Sequence, residues 1–208
     1  MAREADTIGG FNSLIAKQKK EEGTALISTV LFDDQTEVLY DRISLDRIEP
    51  MNDRQYYVRG CTALLDALGG AIHHIENVHK YAREEDRPEK TIFIITTDGM
   101  ENSSHRYTYD KVKKMVERQR DRYGWEFLFL GANIDAIEVA GRFGVQANRA
   151  VNYECDSEGT QLNYEVLSKA VSRVRTCAAP TAAMAFDECD DWAEEIRADY
   201  SKRHRGKR

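Results

Sequence analysis

The feature that most constrains the fold of this chain is an apolar run, TIFIITT, at residues 91–97, which Asp98 and Gly99 follow directly. The run is rich in β-branched and aromatic residues, and polar residues do not alternate with apolar ones along it. This pattern predicts a strand with both faces covered, as in a parallel sheet. Ligands of open α/β sheets bind outside the carboxyl ends of the strands. Asp98 is therefore a candidate metal-binding or substrate-binding residue.

Helical and strand patterns alternate along most of the chain. The predicted helices cover 6–20, 62–82, 109–123, 135–143 and 160–174, and the predicted strands cover 25–32, 37–43, 91–97, 125–131 and 150–153. The short link between the first two strands indicates an antiparallel hairpin. These elements predict a doubly wound, Rossmann-like α/β domain of three layers, whose mostly parallel sheet has one antiparallel edge strand.

The composition changes after residue 176, where alanine, proline and threonine precede an acidic block at 187–195 and a basic end at 202–208. We interpret residues 1–176 as the folded domain and residues 177–208 as a charged, flexible tail with at most one weak helix near Trp192. The basic end would suit nucleic acid or lipid, but a solubilising tail is favoured because the rest of the chain is acidic.

Charge and cysteine usage exclude several classes of function. The formal net charge is −6, which does not favour nucleic acid or an anionic membrane as a partner. The four cysteines are widely spaced and form no Cys-x-x-Cys pair, which is typical of reduced thiols in a cytosolic protein. No apolar run approaches the ~20 residues needed to span a bilayer, and the polar start lacks the apolar segment of a signal peptide. We therefore expect a cytoplasmic protein.

Two short motifs resemble those of a von Willebrand factor type A domain. The first is Gly60-Cys61-Thr62 at a predicted helix start, and the second is Thr97-Asp98-Gly99 after the buried strand. Together with the order of helices and strands, the resemblance covers most of residues 5–175. It implies a protein-interaction module that is not an enzyme and that binds a protein partner at the carboxyl edge of its sheet.

The resemblance also implies a divalent-cation site, usually for Mg²⁺, built from three loops of that edge. Thr62 and Asp98 match the second and third loops, and the partner-binding rim would include Gly60, Thr97, Gly99, Glu101, Asn102 and Ser103. The oxygen ligands suit Mg²⁺, which prefers an octahedron of them. The first loop, Asp-x-Ser-x-Ser, has no counterpart here, so we expect Mg²⁺ binding to be weak or absent in this chain.

The same resemblance implies a missing strand. In the family, a further strand lies between those that match 25–32 and 91–97. Since neighbouring strands lie about 4.8 Å apart, its absence would leave a gap of ~10 Å with unpaired backbone groups. We consider two hypotheses. The favoured hypothesis is that Met1 is an internal methionine of a longer reading frame. The other hypothesis is that another chain supplies the strand.

Simpler interpretations stay open for the candidate residues. Asp98 would serve as a turn residue and Thr62 as a helix N-cap, and polar loops such as 101–105 are common without any binding role. Two other functions also stay open. One is a Mg²⁺-dependent phosphohydrolase or phosphoryl-transfer enzyme, although the second carboxylate or lysine that such an enzyme needs is not evident. The other is an inactive truncated remnant.

Overall fold

The computed structural model describes residues 2–57, 60–188 and 191–205. Its elements follow the predicted order: α1 (Ala2–Gln18), β1 (Leu26–Phe32), β2 (Thr36–Ser44), α2 (Leu64–Tyr81), β3 (Ile92–Thr97), α3 (Tyr109–Tyr123), β4 (Glu126–Gly131), α4 (Ala136–Arg142), β5 (Ala150–Asn152), α5 (Ser157–Thr176), α6 (Ala182–Asp187) and α7 (Glu194–His204). The α/β class is confirmed. The largest shifts in bounds concern α1, which begins before residue 6, and α5, which begins at Ser157 because Asp156 caps it by accepting the Gly159 N–H.

The described strands form two separate sheets. β1 and β2 make the predicted antiparallel hairpin, and β3, β4 and β5 make a parallel sheet in that order. No backbone ladder joins β1 to β3, and a cleft of about 1640 Å³ opens between them. The break in the sheet therefore falls where the resemblance implies a further strand.

Helices cover both faces of the parallel sheet, and the alternation along β4 shows it most clearly. Phe127 and Phe129 pack into one core with α2, α3 and α4, whereas Leu128 and Leu130 pack into a second core with α5, α6 and α7. Both sets are buried because successive side chains of a strand point to opposite faces. The result is the predicted three-layer arrangement. α1 packs along α5 and shares a smaller apolar cluster with the hairpin.

The region beyond residue 176 differs from the expected tail with one weak helix. It contains α6 and α7, and the side chains of Phe186, Trp192 and Ile196 are buried in the second core. Trp192 also donates from its indole Nε1 to the carbonyl oxygen of Asn148 at 2.9 Å. Small buried alanines such as Ala185 let these helices approach the sheet closely. The expectation of little structure was wrong because the surface that these residues cover, on β4, is distant in sequence.

Two further points follow from the described residues. Cys61 and Cys177 are free thiols, while Cys189 and the last residues, 206–208, lie outside the described part of the chain. Among the described residues, no helix has both the length and the apolar character needed to cross a membrane.

Candidate functional site at the carboxyl edge of the sheet

The carboxyl end of β3 is held by its own turn and by the loop after β4. The Thr97 hydroxyl donates to the carbonyl oxygen of Gly99 at 3.0 Å and accepts the Gly99 N–H at 3.3 Å. The carbonyl oxygen of Thr97 accepts the Ala132 N–H at 2.9 Å. Thr97 is buried, whereas Asp98, one residue further on, is exposed. The turn therefore presents the Asp98 carboxylate at the surface and fixes its backbone from beneath.

Thr62 lies beside this turn, on the loop that leads into α2. A Cβ atom at Gly99 would lie 3.2 Å from the Thr62 Oγ1, so the hydroxyl lies against the turn. The Thr62 N–H donates to Asn102 Oδ1 at 2.9 Å, and the Thr62 carbonyl oxygen accepts the Asn102 N–H at 3.0 Å. The fold thus brings the two predicted metal-binding residues onto adjoining loops. Gly60 is exposed at the start of the same segment, in open space.

Thr62 is not the N-cap of α2, contrary to the simpler interpretation. The cap position is Ala63, which has no side-chain acceptor, and the helix starts at Leu64. Glu101 supplies the missing acceptor from the loop opposite, because its Oε2 accepts the Leu65 N–H at 2.9 Å. A carboxylate at a helix N-terminus is also favoured by the helix dipole.

The rim loop, residues 99–105, is tied together by Glu101. Its Oε1 accepts the N–H groups of Ser103 and Ser104 at 3.0 and 2.8 Å, and its Oε2 also accepts the Ser104 hydroxyl at 2.8 Å. Glu101 is therefore half-buried and engaged inside the loop, whereas Asn102 is exposed. Of the predicted rim residues, Asn102 and Gly60 face solvent most openly, and Glu101 has a structural role.

Asp66 is an organising residue that the sequence analysis missed. It lies in the first turn of α2 and is only 7% exposed. Its Oδ2 accepts the His105 N–H at 2.9 Å, and its Oδ1 accepts the N–H groups of Arg106 and Tyr107 at 2.9 and 2.8 Å. Burial alone would raise the pKa of Asp66, but these three amides outweigh it and lower the pKa. A carboxylate among the buried leucines of an amphipathic helix was the available signal, since such a group needs partners.

Two tyrosines, Tyr56 and Tyr153, lie close enough to Asp98 to feel its charge. Burial raises the pKa of Tyr56, and the nearby Asp98 carboxylate adds to the rise, although a hydrogen bond with Thr7 acts the other way. Burial likewise raises the pKa of Tyr153, with Asp98 among the smaller causes. The two phenols therefore stay neutral near physiological pH and add no charge beside Asp98.

The described residues do not make a complete metal site. Thr62 and Asp98 provide one hydroxyl and one carboxylate, while Mg²⁺ takes six oxygen ligands in a near-ideal octahedron. Among the described residues there is no group of three or more His, Cys, Asp or Glu side chains that could hold a metal ion. The Glu101 carboxylate is engaged with backbone amides. A cation at this rim would need oxygen ligands from elsewhere.

The fold and the rim define a Rossmann-like α/β protein with an exposed acidic corner at the carboxyl edge of its parallel sheet. No family model matches the sequence, and no curated protein matches it either. Among solved structures, the chain is similar to proximal thread matrix protein 1 from the mussel byssus. The TM-score is 0.54 and the identity is 13%, over 82% of this chain and 41% of that one. At this identity the likeness shows a shared fold alone, and this chain spans about two fifths of that protein's length.

Proposed function

We propose that this chain is a non-enzymatic protein-interaction module that binds a protein partner at the rim around Asp98 and Thr62. The observation that carries the proposal is the construction of the rim. Backbone N–H groups of its loop donate to the Glu101 and Asp66 carboxylates and tie the loop in place, while Asp98 and Asn102 remain exposed. Rigid scaffolds that present exposed polar groups on loops are typical of binding sites. The similarity to a matrix protein of related fold is compatible with this role.

A metal bridge between the rim and the partner belongs to the proposal only under one condition, that further oxygen ligands are supplied. The Asp98 carboxylate and the Thr62 hydroxyl would hold a Mg²⁺ ion if a partner, or a further segment of polypeptide, supplied the remaining oxygen ligands. A cation held by so few protein ligands would keep its positive charge and attract an acidic side chain. Without that supply, we expect Mg²⁺ to bind this chain weakly. A cytoplasmic location remains part of the same proposal.

Site-directed photo-crosslinking tests where the partner binds. A photo-reactive residue at the position of Met100, which is 60% exposed on the rim, is compared with one at Tyr81, which is 78% exposed at the far end of α2. We expect a discrete, saturable adduct from native extract at the first position only. Asp98→Ala should abolish it, and Asp121→Ala, an exposed aspartate on α3, should not. Equal labelling at both positions, or an adduct indifferent to Asp98→Ala, would reject the rim.

The same assay separates the finer alternatives. An adduct that forms with Mg²⁺ and disappears with EDTA would support the metal bridge, and an unchanged adduct would reject the bridge while keeping the rim. The opposing function is a phosphohydrolase. Turnover of a generic phosphate ester with Mg²⁺ that is lost in Asp98→Ala would favour that enzyme over the interaction module.

A further inference from the structure

The helix α3 carries an excess of cationic side chains although the chain as a whole is acidic. Lysines and arginines outnumber aspartates and glutamates along it, whereas the formal net charge of the whole chain is −6. Part of these cations are spaced three or four residues apart, so they share one side of the helix. We call this row the cation stripe; it consists of Lys111, Lys114, Arg118 and Arg122, all exposed to solvent.

The cation stripe borders α2. The Nη1 atom of Arg118 lies 2.8 Å from Glu76 Oε1 on α2. Tyr107, just before α3, packs against Gly69 of α2, because a Cβ atom at Gly69 would lie 2.4 Å from the Tyr107 ring. These two contacts advance in the same direction along both helices, so α2 and α3 run side by side from the carboxyl edge. The exposed Lys80, one turn beyond Glu76, therefore adds a fifth positive charge toward the end of the stripe.

Most of the stripe has no counter-charge within the described part of the chain. All of its cations except Arg118 form no ion pair with a described residue. The paired carboxylates of α3 use cations outside the stripe instead: Asp121 pairs with Arg120 at 2.7 Å, and Glu117 pairs with Lys113 at 4.0 Å. The fold therefore presents a row of positive charge at the surface, which a complementary row of negative charge on a partner would match.

A tyrosine ring lies under the cation at each end of the stripe. The Lys111 Nζ lies 4.2 Å from the centroid of the Tyr107 ring, and the Arg122 guanidinium carbon lies 5.5 Å from that of Tyr123. A cation over the face of an aromatic ring is attracted to it. The two end cations are therefore partly ordered before any partner arrives, which lowers the entropy that binding has to remove.

The spacing of the cations matches the spacing of side chains on another helix. An α-helix rises 1.5 Å per residue, so the stripe has a cation about every 4.5–6 Å and spans about 17 Å. Carboxylates at positions i, i+3, i+7 and i+11 of a second helix follow the same spacing, so two parallel helices can pair them one for one. Double-stranded DNA, with one charge per about 1.7 Å of its axis, is much denser than the stripe.

We propose that the cation stripe binds an acidic α-helix of a partner protein, which lies along α3 with a carboxylate over each cation. This surface is separate from the rim, and the proposal does not rest on what the rim binds. Ion pairs at an exposed surface are individually weak and are screened by salt. The contact is therefore a transient one, and its affinity falls as the ionic strength rises.

The test measures binding of the full chain to a fluorescent peptide with glutamates at positions i, i+3, i+7 and i+11 of an alanine-rich sequence. A covalent staple between two side chains keeps the peptide helical, because isolated helices of about 15 residues are marginal in water. The control peptide has the same composition and staple, with its four glutamates spread around the helix. We expect saturable binding of the first peptide, about tenfold weaker binding of the control, and a loss of affinity between about 0.01 and 0.1 M salt.

Matched variants place the peptide on the stripe. Lys114→Glu reverses a charge in the middle of the stripe, and Lys17→Glu makes the same change at an exposed position of α1. The first should weaken peptide binding at least about tenfold, and the second should leave it within about twofold. A peptide with lysine in place of the matching glutamate should restore binding to Lys114→Glu. Circular dichroism verifies folding, and Lys114→Gln is the second variant if Lys114→Glu does not fold.

Each other outcome overturns the proposal. Equal affinity for the two peptides would mean non-specific attraction between opposite charges, without a match in spacing. Binding that Lys114→Glu leaves unchanged, or that Lys17→Glu weakens equally, would place the peptide elsewhere on the surface. Displacement of the peptide by single-stranded polyuridine at lower concentrations than by unlabelled peptide would assign the stripe to nucleic acid. Absence of binding at low salt would leave the stripe as a solvated helix face.

Discussion

Replacing Asp66 by Asn is expected to destabilise the fold and loosen the rim loop together. The Asp66 carboxylate accepts three backbone N–H groups, those of residues 105, 106 and 107. An Asn side chain of the same shape offers one carbonyl oxygen, which can keep the two bonds that Oδ1 now makes. Its NH₂ group would then meet the His105 N–H, donor against donor.

The magnitude follows from counting these groups. A buried donor left without an acceptor costs about 1–3 kcal/mol, and hydrogen bonds to charged groups contribute about 1.5–3 kcal/mol each, roughly twice the neutral value. One lost bond and two weakened ones give an expected loss of about 2–4 kcal/mol in the free energy of unfolding. That is a large share of the roughly 5–15 kcal/mol that stabilises a typical domain.

Urea unfolding at several pH values measures the effect. Because the folded state lowers the pKa of Asp66, the contribution of its carboxylate is fully present above the unfolded pKa of about 3.9. It is lost as the pH falls through the lower folded value. The difference between the native chain and Asp66→Asn should therefore be largest near pH 7 and should shrink below about pH 4.

The control is Asp53→Asn, at an exposed position on the loop before α2. It should change the free energy of unfolding by less than about 0.5 kcal/mol. The reasoning would be refuted if Asp66→Asn matched this control, or if its effect persisted unchanged at pH 3. Hydrogen exchange of the amides at residues 105–107 should also accelerate in Asp66→Asn, since their acceptor is weakened.

Two other sites give sharp predictions about stability. Gly9→Ala should stabilise α1 by up to about 1 kcal/mol, because nothing lies within 4 Å of the added Cβ, whereas Gly10→Ala should destabilise by about 1–3 kcal/mol, because its Cβ would overlap the ring of Tyr164. Thermal melts compare the two, and equal shifts would contradict this packing. Arg149→Met should cost about 3–5 kcal/mol, because it leaves the buried Glu126 carboxylate without the Arg149 Nε that now lies 3.0 Å from it. Adding Glu126→Gln should recover much of that loss in urea unfolding, and a double variant no more stable than the single one would contradict the ion-pair argument.

The elements of the fold were predictable where periodicity is strong and local. α3 was predicted at its observed bounds, and β3 and β4 were recognised from apolar runs that need cover on both faces. The unfilled position in the sheet was predicted from the resemblance alone, and the structure has the break there. Nothing in the periodicity of β1 or β3 indicates which strand is its neighbour, because strand order is a property of the whole sheet.

The parts that were missed depend on contacts between distant residues. α6 and α7 are short and rich in alanine or charge, so their helical pattern is weak without the β4 surface that they cover. Glu101 looked like a polar loop residue, and its role as an acceptor for the Leu65 N–H needs two segments that only the fold brings together. The pairing of Thr62 with the Asp98 turn was expected from the resemblance, whereas the buried Asp66 that supports the rim gave only a faint sequence signal.

The break between the two sheets has a consequence for cooperativity. Since no backbone ladder links the β1–β2 hairpin to the parallel sheet, the hairpin is held by helix contacts and by the small cluster around Ile15, Leu45 and Ile48. It should therefore open as a separate unit, at a free energy below that of global unfolding. A strand paired with the edges of both β1 and β3 would join the hairpin and the parallel sheet into one cooperative unit. The whole molecule would then become more rigid when the cleft is occupied.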